Sequence, residues 1–230
     1  MKDESHLYIV ATPIGNLQDI TLRAIETFKI SDTIVCEDTR VTGKLLHHLG
    51  IKKPMIALNE FNEQNVAYDV IHLLEQGQKI SLVSDGGTPL ISDPGFVLVR
   101  LARQKGFTVT PIPGASAVIA ALSASGLPSD SFLFLGFLPK NATKKRKLLT
   151  SYTESINKTF SPTLLFYESP HRIVDTLSLI QIIFGDIEIM IAREITKIYE
   201  SFQSGLVSEL VKEYTEKQPK GEITVLLSMK

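Results

Sequence analysis

Residues 82–95 read Leu82-Val83-Ser84-Asp85-Gly86-Gly87-Thr88-Pro89-Leu90-Ile91-Ser92-Asp93-Pro94-Gly95. An apolar run (Ile80, Leu82, Val83) enters a loop crowded with Gly, Pro and Asp, and an apolar helical pattern follows at once. Strand, wide loop and helix in that order make up one unit of an open α/β sheet, where ligands bind beyond the carboxyl ends of the strands. Glycines let backbone approach a ligand closely, and prolines hold the loop in one shape. Two Asp-containing turns in tandem exceed what a plain connection requires. Loops held by a rigid scaffold often carry function. The residues leave two readings open, a binding loop and an ordinary connection.

The same alternation runs outward on both sides. Strands are expected at Leu7–Thr12, Thr33–Cys36, Met55–Leu58, Lys79–Ser84 and Thr108–Ile112. Helices are expected at Thr21–Phe28, Arg40–Leu49 (stopped by Gly50), Asn65–Glu75 and Gly95–Lys105 (stopped by Gly106). Val66, Val70, Leu73 and Leu74 share one helical face. Strands alternating with helices imply a mostly parallel sheet covered on both faces. Pro111-Ile112-Pro113-Gly114 is the expected domain boundary, dividing the chain into 1–113 and 114–230. A small-residue helix, Ala115–Ala124, opens the second half. Strands at Phe132–Phe137, Thr163–Tyr167, Glu188–Ala192 and Glu222–Leu227 follow. Helices at Thr143–Tyr152, Ile173–Phe184 and Val207–Tyr214 lie between them. Hairpin character in this half points to a mixed sheet.

Composition narrows the classes. A chain of 230 residues with 43% hydrophobic and 21% charged residues can bury a core and is not disordered. A net charge of −1 argues against a generic nucleic-acid binder, so any RNA contact must be local. The obvious patch is Lys140, Lys144, Lys145, Arg146 and Lys147. One cysteine, Cys36, excludes an internal disulfide framework, fits a reducing cytoplasm and reads as a small core residue. The polar start Met1-Lys2-Asp3-Glu4-Ser5 lacks a signal-peptide core, and no apolar run is long enough to span a membrane.

Familiar signatures are missing. There is no dinucleotide fingerprint, Walker loop or nucleophile elbow, and the histidines lack metal-ligand spacing. What remains is a series of polar clusters at strand ends: Pro13-Ile14-Gly15-Asn16, Glu37-Asp38-Thr39-Arg40, Glu60-Phe61-Asn62-Glu63, Asp85–Gly95 and Pro113–Ala117. Each alone reads as a cap or turn. Thr39 can cap the helix from Arg40, and Ser169-Pro170 suits the start of a helix. In a parallel sheet, however, all five lie on one edge, and together they favour a ligand crevice. In the second half Phe166–Arg172 and Ala192–Lys197 place polar groups at strand ends. Arg172 and Lys197 could hold phosphate, or could simply pair with Glu168 and Glu194.

The succession Pro13-Ile14-Gly15-Asn16-Leu17, Glu37-Asp38-Thr39-Arg40, Ser84–Gly95, Pro113-Gly114, Phe166–Arg172 and Lys220-Gly221-Glu222 resembles the small-subunit ribosomal RNA methyltransferase I family, of the tetrapyrrole methylase-like superfamily. The resemblance covers Leu7 to Leu227. It implies two α/β domains with S-adenosylmethionine in the cleft between them. It implies 2′-O-methylation of a cytidine in the decoding region of small-subunit (16S) rRNA by a cytoplasmic homodimer; the near-zero net charge points to a folded RNA or an assembled subunit as substrate rather than naked strands. Gly86 stands where the family usually has Ala, and Ala115 where it often has Pro. Residue by residue, the resemblance brings Pro13, Ile14 and Gly15 near the cofactor. It adds Asp85, Gly87, Thr88 and Ile91 from the Gly-rich loop, and Ser116 and Ala117 after the Pro-Gly turn. Tyr167 and Glu168 would close over the adenosine.

A ribose hydroxyl needs a base, and the first-domain strand ends offer Glu63, Asp38 and Glu37, with Glu63 and Asp38 ranked first. Lys197 would serve only with a lowered pKa. Arg40, Arg172 and Lys197, with Lys144, Lys145 and Arg146, are the expected RNA contacts, and no metal is expected. The rival readings are a tetrapyrrole (precorrin-type) methyltransferase and a non-catalytic rRNA-binding assembly factor.

Overall fold

A computed structural model describes residues 5–156 and 160–229. The polar start Met1-Lys2-Asp3-Glu4 lies outside the described residues. The chain divides into two compact units, Met1–Ser116 and Ala117–Lys230.

In the first unit β1 (His6–Val10), β2 (Thr33–Cys36), β3 (Met55–Ala57), β4 (Lys79–Leu82) and β5 (Thr108–Ile112) form a sheet of order β3-β2-β4-β1-β5. Every pairing in it is parallel. Between the strands run α1 (Leu22–Ile30), α2 (Thr39–His48), α3 (Glu63–Glu75) and α4 (Phe96–Gln104). Alternation along each strand sends side chains to both faces. Leu7, Val35, Ile80 and Leu82 pack with Ala67, Val70 and Leu74 of α3 and Leu98 and Ala102 of α4. Val10, Ile34 and Cys36 pack with Ala24 and Phe28 of α1 and Leu45 and Leu46 of α2. Cys36 is fully buried, as expected of a core residue. Because the strands run parallel, all five exits share one edge.

Local chemistry fixes the boundaries. Thr21 caps α1 by accepting from the Ala24 N–H at 3.1 Å. Asp38, not Thr39, caps α2: its Oδ1 accepts from Arg40 N at 2.8 Å, so the helix begins at Thr39. β4 stops at Leu82, two residues short of the expected Ser84, although Val83 N still bonds to Val35 O at 2.9 Å. A short 3-10 turn, Leu17–Asp19, follows β1 and has no apolar periodicity to announce it.

In the second unit β6 (Phe132–Phe137), β7 (Thr163–Glu168), β8 (Glu188–Arg193), β9 (Ser201–Leu206) and β10 (Ile223–Leu227) give the order β6-β7-β10-β8-β9. Only β6 and β7 pair in parallel, which makes the sheet mixed. Leu164, Phe166, Ile189, Ile191, Val225 and Leu227 face a core closed by α6 (Ala142–Ser155), α7 (Ile173–Phe184) and α8 (Val207–Glu216). α5 (Ala117–Ala124) packs on β7 and β10. The edge strand β9 escapes sequence reading: Ser201-Phe202-Gln203-Ser204-Gly205-Leu206 is half exposed and polar. Ser169-Pro170 does not start α7. Arg172 N bonds Ser169 O at 3.0 Å in a separate turn, and the helix begins at Ile173.

Candidate active site

Three loops are knitted together at the carboxyl edge of the first sheet. Thr12 and Gly87 exchange two backbone hydrogen bonds, both 2.9 Å, directly beyond β1 and β4. Thr12 Oγ1 donates to Ser84 O at 3.3 Å, and Thr88 Oγ1 donates to Ala115 O at 3.3 Å beyond β5. Glycine is needed where these loops touch. Gly87 sits at φ +94°, a region closed to most side chains, and a Cβ there would lie 3.4 Å from Ile14 Cγ2. At Gly86 a Cβ would stand 3.2 Å from Pro13 O, so the carbonyl would have to yield by a few tenths of an ångström. Leu90 (φ 72°) and Ser92 (φ 68°) are also left-handed, without glycine to ease them. Backbone held in such regions clusters at functional sites. Pro13, Ile14, Gly15, Asp85, Gly87, Thr88, Ile91 and Ser116 are thus brought to one edge of one unit. Ala117 opens α5 of the other unit.

Carboxylates line this edge. Asp85 Oδ1 accepts from the Asp38 N–H at 3.1 Å, tying the exit of β2 to that of β4. Burial pushes the Glu37 carboxyl above the ordinary range, and the charges of Asp85 and Asp93 push it further. Asp93 and Asp85 are also raised, each chiefly by burial; Ser84 beside Asp93 and the Asp38 N–H at Asp85 partly offset this. Asp38 is the opposite case. The Arg40 side chain and backbone N–H hold it at about 2. Both its oxygens are engaged by a guanidinium whose side chain is 86% exposed. Glu63 is engaged as well: Oε1 accepts from Gly95 N and Val97 N, each at 2.9 Å, and so caps α4, which has no side-chain cap from its own N-cap Gly95. The two carboxylates ranked first as bases are therefore helix caps. Glu37, just beyond the fully buried strand β2, caps no helix; its carboxyl instead accepts from the Asp85 backbone N–H, which partly offsets the rise.

In the second unit the structure corrects several expectations. Lys145 is buried: its Nζ donates to Thr176 Oγ1 at 2.6 Å and lies 3.4 Å from Glu168 Oε2. It therefore cannot reach RNA. It lies on α6 in register with Leu149 and Tyr152, the buried face of that helix. Glu168 is fully buried among Lys145, Thr176 (2.7 Å) and Arg172 (2.6 Å), so its carboxylate is already committed within the unit. Arg172 is held by Glu168, Ser169 Oγ and Leu138 O, not free for phosphate. Tyr167 packs edge-on against Phe134, ring centroids 4.9 Å apart, and beside Phe137 at 5.3 Å. Lys144 and Arg146 remain exposed.

Lys197 is paired with Glu194 Oε1 (3.0 Å) and Glu222 Oε2 (3.1 Å). Partial burial lowers its affinity for the proton, but the two carboxylates outweigh this and raise its pKa, the wrong direction for a base. Glu194 also accepts from Glu222 N at 2.9 Å and folds over Gly221. A Cβ at Gly221 (φ +86°) would fall 2.2 Å from Glu194 Cδ. Gly221→Ala is therefore expected to cost about 1–3 kcal/mol, read as a lower denaturation midpoint; an unchanged midpoint would refute the packing argument. Among the described residues, no group of His, Cys, Asp or Glu is arranged to hold a metal ion, and no helix is long and apolar enough to cross a membrane.

Comparison with known proteins agrees with this geometry. Residues 6–211 match the family described as Tetrapyrrole (Corrin/Porphyrin) Methylases. The chain is 50% identical over 228 residues to "Ribosomal RNA small subunit methyltransferase I" of Haemophilus influenzae, covering 97% of this chain and 78% of that protein. It is 45% identical over 224 residues to the protein of the same name from Thermotoga maritima, covering 97% and 98%. Among solved structures it is similar to a diphthine synthase (TM-score 0.72, 15% identity, 96% of this chain and 89% of that one). It is also similar to a cobalt precorrin-4 methyltransferase (TM-score 0.68, 15% identity, 98% and 96%). At such identities these structures bear on the fold alone. The two five-stranded α/β units, the three interlocked loops and the near-full-length matches agree: the chain belongs to the ribosomal RNA small subunit methyltransferase I family, within the tetrapyrrole methylases.

Proposed function

We propose that this protein transfers the methyl group of S-adenosylmethionine to the ribose 2′-hydroxyl of a cytidine in the decoding region of small-subunit rRNA. The observation that carries the reading is the knitting of the Pro13–Gly15, Gly86–Thr88 and Gly114–Ala115 loops at one sheet edge, beside Glu37, Asp85 and Asp93. The donor set fits the cofactor. Close-packed glycine loops present backbone groups, and carboxylates suit its hydroxyls and ammonium. Pro13, Ile14, Gly15, Asp85, Gly87, Thr88, Ile91 and Ser116 would hold it. When bound it supplies an electrophilic methyl on a sulfonium.

Glu37 would take the proton of the ribose 2′-hydroxyl onto its carboxylate as that oxygen accepts the methyl group from the bound cofactor. A positioned base is worth about 10²–10⁴-fold. Alignment by rigid loops is worth roughly 7–11 kcal/mol in favourable cases. Glu63 and Asp38 serve as positioning residues: one fixes the start of α4, the other fixes Arg40.

Arg40 and the exposed Lys144, Arg146 and Lys147 contact rRNA phosphates, on an assembled subunit and in the cytoplasm. The homodimer implied by the family resemblance is the expected oligomer, and sedimentation tests it. Neutralising Lys144, Arg146 and Lys147 together is expected to flatten the dependence of log KM on log salt by about 2 units, at roughly 0.7–0.9 for each phosphate no longer neutralised. An unchanged slope removes α6 from the interface.

The deciding experiment is transfer from labelled S-adenosylmethionine to small subunits lacking the modification, followed by nucleoside analysis. A 2′-O-methylcytidine product is expected. Cofactor binding without transfer would move the acceptor elsewhere, tetrapyrroles first. No cofactor binding would leave a non-catalytic assembly factor.

A further inference from the structure

Helix α2 (Thr39–His48) leaves the sheet at the candidate site, its cap Asp38 bonded to Asp85. Its buried face is Thr42, Leu45 and Leu46. Arg40, Lys44, His47 and His48 are all exposed, and their spacing places them along one helical face. The helix contains no acidic residue, although the whole chain carries a net charge of −1. Arg40 alone is paired, in a fork with Asp38 that fixes its direction. Among the described residues Lys44, His47 and His48 have no ion pair. A purely solvated face would be expected to mix charges of both signs.

We propose that the Arg40–Lys44–His47–His48 face of α2 is a backbone track for the acceptor RNA, leading the strand to the strand-end carboxylates. The inference rests on the rRNA reading above and deepens it. At 1.5 Å per residue the stripe spans about 12 Å. That matches three to four backbone charges of a stacked strand at ~3.4 Å each. A polyanion is the complementary partner. Phosphate contacts fix position without reading sequence, so the track sets register and leaves nucleotide choice to the strand-end loops.

The test compares Lys44→Gln, and the triple variant Lys44→Gln/His47→Gln/His48→Gln, with the unaltered protein on small subunits lacking the modification. KM is read across a salt series, with cofactor binding by calorimetry. KM is expected to rise about threefold to tenfold for the triple variant, with kcat and cofactor affinity unchanged. Its salt slope should fall by at least about 0.7, the share of one phosphate contact. Unchanged KM and slope in an active enzyme would overturn the track and leave the proposed function standing. An unaltered protein that binds cofactor but methylates no subunit RNA would overturn both. A photocrosslink from position 44 should land on rRNA; one landing on a ribosomal protein would reassign the surface and overturn the proposal.

Discussion

Glu168→Ala is expected to lower the stability of the second unit by about 3–5 kcal/mol, the cost of breaking a buried pair by removing one partner. Glu168 is the hub of the least solvated charge cluster among the described residues. It faces Lys145 at 3.4 Å and Arg172 at 2.6 Å, and accepts from Thr176 Oγ1 at 2.7 Å and from Ser169 N at 2.8 Å. Truncation leaves Lys145 buried with only the Thr176 hydroxyl beside it. The cluster joins α6, the end of β7 and α7, and through Arg172 the Leu138 carbonyl after β6. Its loss should therefore loosen the whole β6–β7 end. Lys145→Met is the informative partner variant. Glu168 keeps Arg172, an apolar chain of similar volume replaces the ammonium stem, and the cost should fall below about 1.5 kcal/mol. Denaturant unfolding of the two variants checks the order. Equal costs, or a Glu168→Ala loss under about 1 kcal/mol, would mean the cluster is more solvated than its burial implies.

That cluster also marks where sequence reading stops. The sheets were legible because burial leaves a local trace: Ile34, Val35 and Cys36 must satisfy two faces of a parallel sheet, and the chain shows it as an unbroken apolar run. The cluster of loops at one edge was legible for the same reason, since parallel strands place their exits together. Strand β9 left no such trace, because an edge strand with one wet face needs little hydrophobicity. Side-chain duties were harder still. Glu63 caps a helix 32 residues later, beyond any local pattern, so a carboxylate at a strand end looked available when it was not. Lys145 sat within a basic run that hides its register with Leu149 and Tyr152. Charge reads from composition, but whether a charge is free depends on partners distant in the chain.

Glu37→Gln is expected to reduce kcat about 10²–10⁴-fold, the worth of a positioned general base, or roughly 3–5 kcal/mol of barrier at 1.36 kcal/mol per decade. Cofactor affinity should change little. The pH dependence distinguishes a base from a structural residue. Burial, then the charges of Asp85 and Asp93, raise the Glu37 carboxyl above its ordinary value. The active carboxylate is therefore lost at a higher pH than a free glutamate, and the acid limb of the kcat profile should lie above ~4.3. The same shift has a stability sign. A raised carboxylate means the folded state binds more protons than the unfolded chain between the two pKa values, so stability falls as pH climbs through that window. The neutral amide escapes that loss. Glu37→Gln should then be at least as stable as the parent at neutral pH while turning over far more slowly. A group kept for the fold would show the reverse, with stability falling and turnover spared. Because Asp85 and Asp93 are raised by the same burial, Asp93→Asn should move the acid limb of kcat downward by removing one like charge facing Glu37. An acid limb that stays in place would show that Glu37 does not carry the proton.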